Sequence, residues 1–437
     1  MENISKDVIN NNKDKLLSII EREKQSVIDV GNKIFRNPEL GYKEVNTKET
    51  IKEFLKDINI TKYEEYAITG MKYTIGSGEA LHIGLLCDMD ATPTFNHPFA
   101  NKEDNAAHSC GHNAQMAIMM AVFRGIAKSN LLDEIDGKIS LITAPAEEFV
   151  DFDYRLNLMK DGKIKAFSGK QNLLLEGAFD DIDLILSSHG NGLEGRVIET
   201  DISTNGFVAK KATFLGKSAH AGAYPHLGKN ALNAASLSLN AVALLRETFQ
   251  DDHHVRFHPV ITKGGTAVNT VPDEVVVETY VRASEVQAVF DADRKIDNAF
   301  IHCAKALGCE CEINNIPGYL PSNYFSPLAK HIVDNAKLLV NEDNIICGGK
   351  TFASDDLADI SCFVPVIQIG FSGFCGDFHS HDFDIKDEEM AYITPAKLLS
   401  LTAYDMLMYN EQLKLTLEKF ESPLTRQQYY KEWLGIK

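Results

Sequence analysis

The sequence is poor in basic residues. Lysine and arginine number 44 against 62 aspartates and glutamates, leaving a formal charge of −18 over 437 residues. A nucleic-acid binder needs a basic footprint, so nucleic acid is excluded as the main partner. Long apolar runs are missing too. The richest one, residues 114–127, is broken by Gln115, Arg124 and Gly125, well short of the roughly 18 apolar residues a membrane helix needs. The opening MENISKDVINNNKDKLL has neither an apolar core nor a small-residue cleavage site, so no secretory signal is expected and the expected location is cytoplasmic. The eight cysteines form no CxxC pair, and Cys309 and Cys311 stand too close for a zinc-knuckle pattern. A reduced set of thiols is the simplest reading. There is no internal repeat and no low-complexity linker.

What is there is 437 residues with 44% hydrophobic and 24% charged composition, enough for two domains. Residues 14–35 and 47–57 carry helical patterning. Four short apolar runs follow, at 81–86, 138–143, 183–186 and 364–369. Each is continuous rather than alternating, which predicts strands buried on both faces. Each also delivers acids or histidines just past its end: Asp88 and Asp90, Glu147 and Glu148, His189, and, through a glycine-rich turn, His379. In open α/β sheets ligands bind outside the carboxyl ends of the strands. Residues 205–317 have another texture. They read strand 207–214, helix 230–248, strand 254–261, strand 274–283, helix 291–306, strand 310–314, the ferredoxin-like order. This predicts a smaller domain over 205–317 inserted into a larger one formed by 1–204 and 318–437.

Cys110 and His112 flank a glycine just before a predicted helix. The free amides of a helix N-terminus favour a thiolate, and thiolate plus imidazole suits a borderline-soft divalent metal. Glu147-Glu148 is either a solvated pair or a division of labour, one carboxylate binding metal and the other serving as base. The histidine-rich stretch 379–381 is open to similar alternatives. Two further features read as ordinary structure. Asp251-Asp252-His253-His254 falls in a helix–strand loop, and Trp433 fits the aromatic anchor of a docked C-terminal helix.

Taken in order, Asp88-Met89-Asp90-Ala91, Cys110-Gly111-His112-Asn113, Pro145-Ala146-Glu147-Glu148, Ser188-His189, Gly216-Lys217-Ser218-Ala219-His220-Ala221, the run from Gly265 through Asn269 to Asp273, and His379 resemble one group. It is the amidohydrolase branch of the aminoacylase and carboxypeptidase metallopeptidase clan, which holds hippurate, auxin-conjugate and aminobenzoyl-glutamate hydrolases. The resemblance spans about residues 28–405. It implies an α/β fold, with a di-metal hydrolase domain of mixed sheet flanked by helices and the insertion acting as a ferredoxin-like α+β lid. It implies two divalent ions, zinc or manganese, on Cys110, His112, Glu148, His189 and His379. Glu147 would be the general base, with Asp90 orienting a ligand. His220 would reach the scissile carbonyl, and Asn269 and Arg282 would hold a small substrate through its free carboxylate. A homo-oligomer through the lid domain is compatible with the pattern.

The sequence departs from that pattern in three places. Asn113-Ala114-Gln115 stands where many members have Asp-Gly-His. Cys87 precedes Met89 in a strand where arginine and alanine are usual. About 40 residues separate Glu148 from His189, and the extra segment, 151–170, carries Asp153, Arg155 and several lysines beside the expected site. The expected activity is hydrolysis of the amide bond of an N-acyl amino acid or related small amide. The alternatives are a dipeptidase or carboxypeptidase of the same clan, a non-catalytic binding protein that keeps the fold, and a metal-storage module.

Overall fold

A computed structural model describes residues 6–436. Its larger sheet has eight strands in the order Lys62–Tyr66, Gly70–Ile75, Lys138–Ala144, His82–Asp88, Leu184–Gly190, Val366–Phe371, Ile198–Ser203 and Ile345–Lys350. The middle four run parallel, while antiparallel pairings appear toward both edges, making the sheet mixed. Both faces of the parallel part are covered. Ile83, Leu85 and Cys87 pack with the helices Lys6–Phe35, His112–Ser129 and Thr394–Met408. Leu86, Ile142 and Ile185 pack on the other side with the helices Phe152–Lys160, Gly169–Leu175 and Leu357–Ser361. Burial on both faces is why these strands are apolar without alternation. Their carboxyl ends share one edge, so Asp88, Glu147, His189 and His379 emerge near one another.

The second sheet spans Gly206–Leu215 to Glu310–Pro317 and is antiparallel. Its order is Arg256–Phe257, Glu274–Ala283, Gly206–Leu215, Glu310–Pro317, with Val260–Lys263 also pairing with Glu274–Ala283. The helices Ala231–Leu244 and Val286–Ala306 cover one face through Ala234, Ala235, Val242, Ile296 and Phe300. This is the ferredoxin-like arrangement expected. The strand expected over 254–261 is split, because Pro259 has no N–H to give the ladder. The helix expected from residue 291 starts five residues earlier, at Val286.

The two crossings between the sheets are bound together. Phe207 N donates to the Tyr319 carbonyl at 2.8 Å, and Thr204 N to Ser322 Oγ at 2.8 Å. Gly318 lies so close to Phe207 that a Cβ there would stand 2.3 Å from its ring. The C-terminal segment ends in a short helix, Arg426–Gln428, and a wide turn, Tyr429–Trp433. Trp433 is buried and packs edge-on against Phe290 at 5.7 Å, joining this tail to the smaller domain's second helix. Among the described residues no helix is long and apolar enough to cross a membrane.

Candidate metal centre

Cys110 ends a loop at Gly111, whose φ of +77° caps the N-terminus of the helix His112–Ser129. The helix start therefore presents Cys110 and His112, both buried, to the end of the parallel sheet. The Nδ1 of His112 lies 2.8 Å from the backbone carbonyl of Asp90, which directs Nε2 inward. His189 is fixed the same way, Nδ1 on the carbonyl of Gly190 at 2.8 Å, and its Nε2 stands 3.5 Å from Cys110 Sγ. His379 has a left-handed backbone with φ +62°, and its N–H donates to the Ser109 carbonyl at 2.9 Å. That turn brings His379 Nε2 to 3.1 Å from Glu148 Oε1. His381 is exposed beside Ser380 and takes no part.

The donors form two triplets that share a sulfur. Cys110, His112 and His189 make one, and Cys110, Glu148 and His379 the other, with ligand atoms in each within 4.8 Å of one another. Glu147 joins His112 and Glu148 in a third group and Asp355 and Asp356 in a fourth.

The donors fit a pair of divalent cations. Nε2 of His112 is buried and makes no directed hydrogen bond, so it points at its neighbouring donors without a partner of its own, and Oε1 of Glu148 meets only another donor, His379 Nε2. Burial and the Glu148 carboxylate push Glu147 well above the usual carboxylate range, and burial also pushes the Cys110 thiol up. Burial pushes His189 down. A bound cation favours deprotonated donors, which reverses the upward shifts of Glu147 and Cys110 and acts in the same sense as the downward shift of His189. Sulfur, imidazole and carboxylate together suit zinc-like and manganese-like ions.

Residues 202–304 match the family model for a peptidase dimerisation domain, M20_dimer. A Xaa-Arg dipeptidase of Mus musculus is 26% identical over 364 residues, covering 80% of this chain and 75% of that protein. The N-acetyl-L-cysteine deacetylase of Bacillus subtilis is 27% identical over 421 residues, 92% of each. Over most of its length the chain is similar to proteins named as hydrolases and peptidases. Among solved structures, a dinuclear metal binding peptidase of the M20 family from Bacillus subtilis superposes with a TM-score of 0.69 at 19% identity, covering 89% of this chain and 99% of that one.

Three residues singled out in the sequence are not among the clustered donors. His220 is exposed at the edge of the smaller sheet, its Nδ1 accepting the N–H groups of Gly222 and Ala223. Asn269 sits beside it, its carbonyl accepting from Ala221 N at 2.9 Å. Arg282 is elsewhere. Its guanidinium stacks over Phe207 and Tyr280 at 5.2 and 5.3 Å and donates to Ser354 Oγ at 2.8 Å. Among the described residues it has no carboxylate partner. Asn113, the departure from the usual motif, points into the core, where its amide donates to Tyr392 Oη at 3.1 Å.

Asp90 does more than orient a histidine. Its two carboxylate oxygens accept the N–H groups of Glu147 and Glu148, each at 3.0 Å, while His112 is held by the Asp90 carbonyl. Burial opposes its charge, but His112 and the N–H donors outweigh it and hold the carboxyl low. Sequence reasoning missed several supporting groups. Lys170 is fully buried and paired with Asp88 and Asp356, with Asp355 at 3.6 Å. Glu44, also buried, accepts from Ala146 N at 2.9 Å. The Tyr319 hydroxyl donates to the Glu147 carbonyl. The one signal for Lys170 was its place at the end of the extra segment 151–170, and Glu44 had none.

Proposed function

We propose that the chain is a metal-dependent amidohydrolase that cleaves the amide bond of an N-acyl amino acid or related small amide. The observation that carries this is the pair of donor triplets meeting at Cys110, with Glu147 free beside them. Cys110, His112, Glu148, His189 and His379 would hold two divalent ions, zinc or manganese. Such ions acidify water toward neutral pH and polarise a carbonyl oxygen. Glu147, 3.8 Å from His112 Nε2, takes a proton from the attacking water and later gives it to the departing amine nitrogen as the C–N bond breaks. The water oxygen remains on the acyl carbon as a carboxylate. Asp90 orients both glutamates through their backbones.

The smaller domain, 205–317, would act as a lid on the larger one, 1–204 and 318–437. His220 would then enter on closure and donate to the oxyanion. Its name as a dimerisation domain, with Leu244, Val260 and Ile261 exposed on it, supports a homo-oligomer through this domain. The location proposed is cytoplasmic. Arg282, a half-buried guanidinium without an anionic partner among the described residues, supports a substrate with a free carboxylate. Asn269 would contribute to that clamp once the lid closes.

A dipeptidase is the second reading, favoured by the similarity to the Xaa-Arg dipeptidase over 80% of the chain. Amine release from a panel of N-acyl amino acids, their carboxyl amides and free dipeptides, with added manganese or zinc, separates the two. N-acyl amino acids are expected to be the better substrates, and faster dipeptide cleavage would favour the second reading. On the same panel His220→Ala is expected to lower kcat on every substrate. Arg282→Ala is expected to raise KM for the acids alone, erasing their advantage over the amides. Equal cleavage of acid and amide by the unaltered enzyme would rule out the carboxylate clamp.

A further inference from the structure

The turn that carries Glu147 and Glu148 is held through its backbone from two sides. Ala146 has a left-handed φ of +53°, an uncommon conformation for a residue with a Cβ. On the amide side, Glu44 takes the N–H of Ala146, and Asp90 takes those of Glu147 and Glu148. On the carbonyl side, Tyr319 donates to Glu147, and Arg155 donates to Ala146 at 3.4 Å and to Glu148. All six backbone polar groups of residues 146–148 thus end on buried side chains.

Arg155 stands out among them. It sits on the helix Phe152–Lys160, inside the extra segment between Glu148 and His189, and it is completely buried. Among the described residues it has no ion pair. Its two terminal nitrogens donate to main-chain carbonyls, including Phe167 at 3.0 Å, with the Tyr42 ring at 5.5 Å, while Nε has no partner. A buried cation without a counter-ion is costly. Gly41 leaves it room, since a Cβ there would stand 2.7 Å from Nη2. The planar fork reaches carbonyls in two directions at once, which a lysine ammonium on a single stem does not match.

We infer that Arg155 is a positioning residue. Its guanidinium fixes the 146–148 backbone so that Glu147 and Glu148 face the donor cluster. The extra segment therefore serves the reacting centre from behind. This rests on the metal site and base proposed above.

The test compares the full chain with Arg155→Lys, Arg155→Ala and, as a control on an exposed position of the same helix, Asp153→Asn. Three quantities are read: affinity of the metal-free protein for manganese and zinc, kcat and KM separately, and amide hydrogen exchange over 144–150. Arg155→Lys is expected to fold, to bind either ion about 10–100-fold more weakly, as loss of an outer-shell partner typically does, and to lower kcat with KM little changed. Exchange over 144–150 is expected to rise, more so in Arg155→Ala, with Asp153→Asn unchanged throughout. Wild-type metal affinity, kcat and exchange in Arg155→Lys would overturn the inference. So would failure of both Arg155 variants to fold, which would make the residue structural alone. If the unaltered chain binds neither ion, the proposed function fails instead, and the exchange measurement still decides whether Arg155 holds the turn.

Discussion

Glu147→Gln is expected to lower kcat by about 10²–10⁴-fold, the usual loss when a positioned base is removed, while metal content stays at the wild-type value. Glutamine is close to isosteric and keeps the backbone N–H that Asp90 accepts at 3.0 Å, so the turn should survive. What goes is the oxygen that takes the proton. Glu148→Gln is expected to behave differently. Its Oε1 belongs to the triplet with Cys110 and His379, and an amide is a far poorer ligand than a carboxylate for a divalent ion. That variant should lose metal first and activity with it. Metal analysis and turnover on the two proteins decide the assignment, and the reverse pattern would exchange the two roles.

Lys170→Met is expected to destabilise the fold by about 3–5 kcal/mol, the typical cost of removing one partner from a buried ionic cluster. Burial alone would strip the proton from Lys170, but Asp356, Asp88 and Asp355 hold it on, well above the ordinary lysine range. Without the ammonium, three aspartates remain at the end of the parallel sheet, two of them in reach of Glu147. Asp356 keeps a hydrogen bond from Ser168 Oγ at 2.5 Å, and Asp88 is left without its cation. Urea unfolding of the metal-free proteins measures the difference. A variant within about 1 kcal/mol of wild type, the range of an exposed ion pair, would mean that the cluster contributes little.

The two sheets were legible because their signals are local. Continuous apolar runs at 81–86, 138–143 and 183–186 marked the strands found at His82–Asp88, Lys138–Ala144 and Leu184–Gly190, and the strand read at 274–283 is found at Glu274–Ala283. Pro259 stood in the sequence, yet the apolar residues around it concealed the break it causes. The donors Cys110, His112 and His189 sit at the ends of such elements, so their order along the chain exposed them. The groups that support them left no local trace. Glu44 meets Ala146 across 102 positions, and Lys170 meets Asp356 across 186. Such pairings arise from the topology of the sheet, not from any periodicity. Arg155 was visible only as a charge in an extra segment beside the expected site. Completely buried, it donates to the backbone of the 146–148 turn.

The central claim is that Cys110, His112, Glu148, His189 and His379 would hold two divalent ions that the hydrolysis needs. Elemental analysis of the purified protein, with amine release from an N-acyl amino acid followed before chelation, after it, and after manganese or zinc is restored, tests this most directly. Close to two ions per chain, loss of activity on chelation and its return on readdition are the expected result. Full activity in metal-free protein would contradict it.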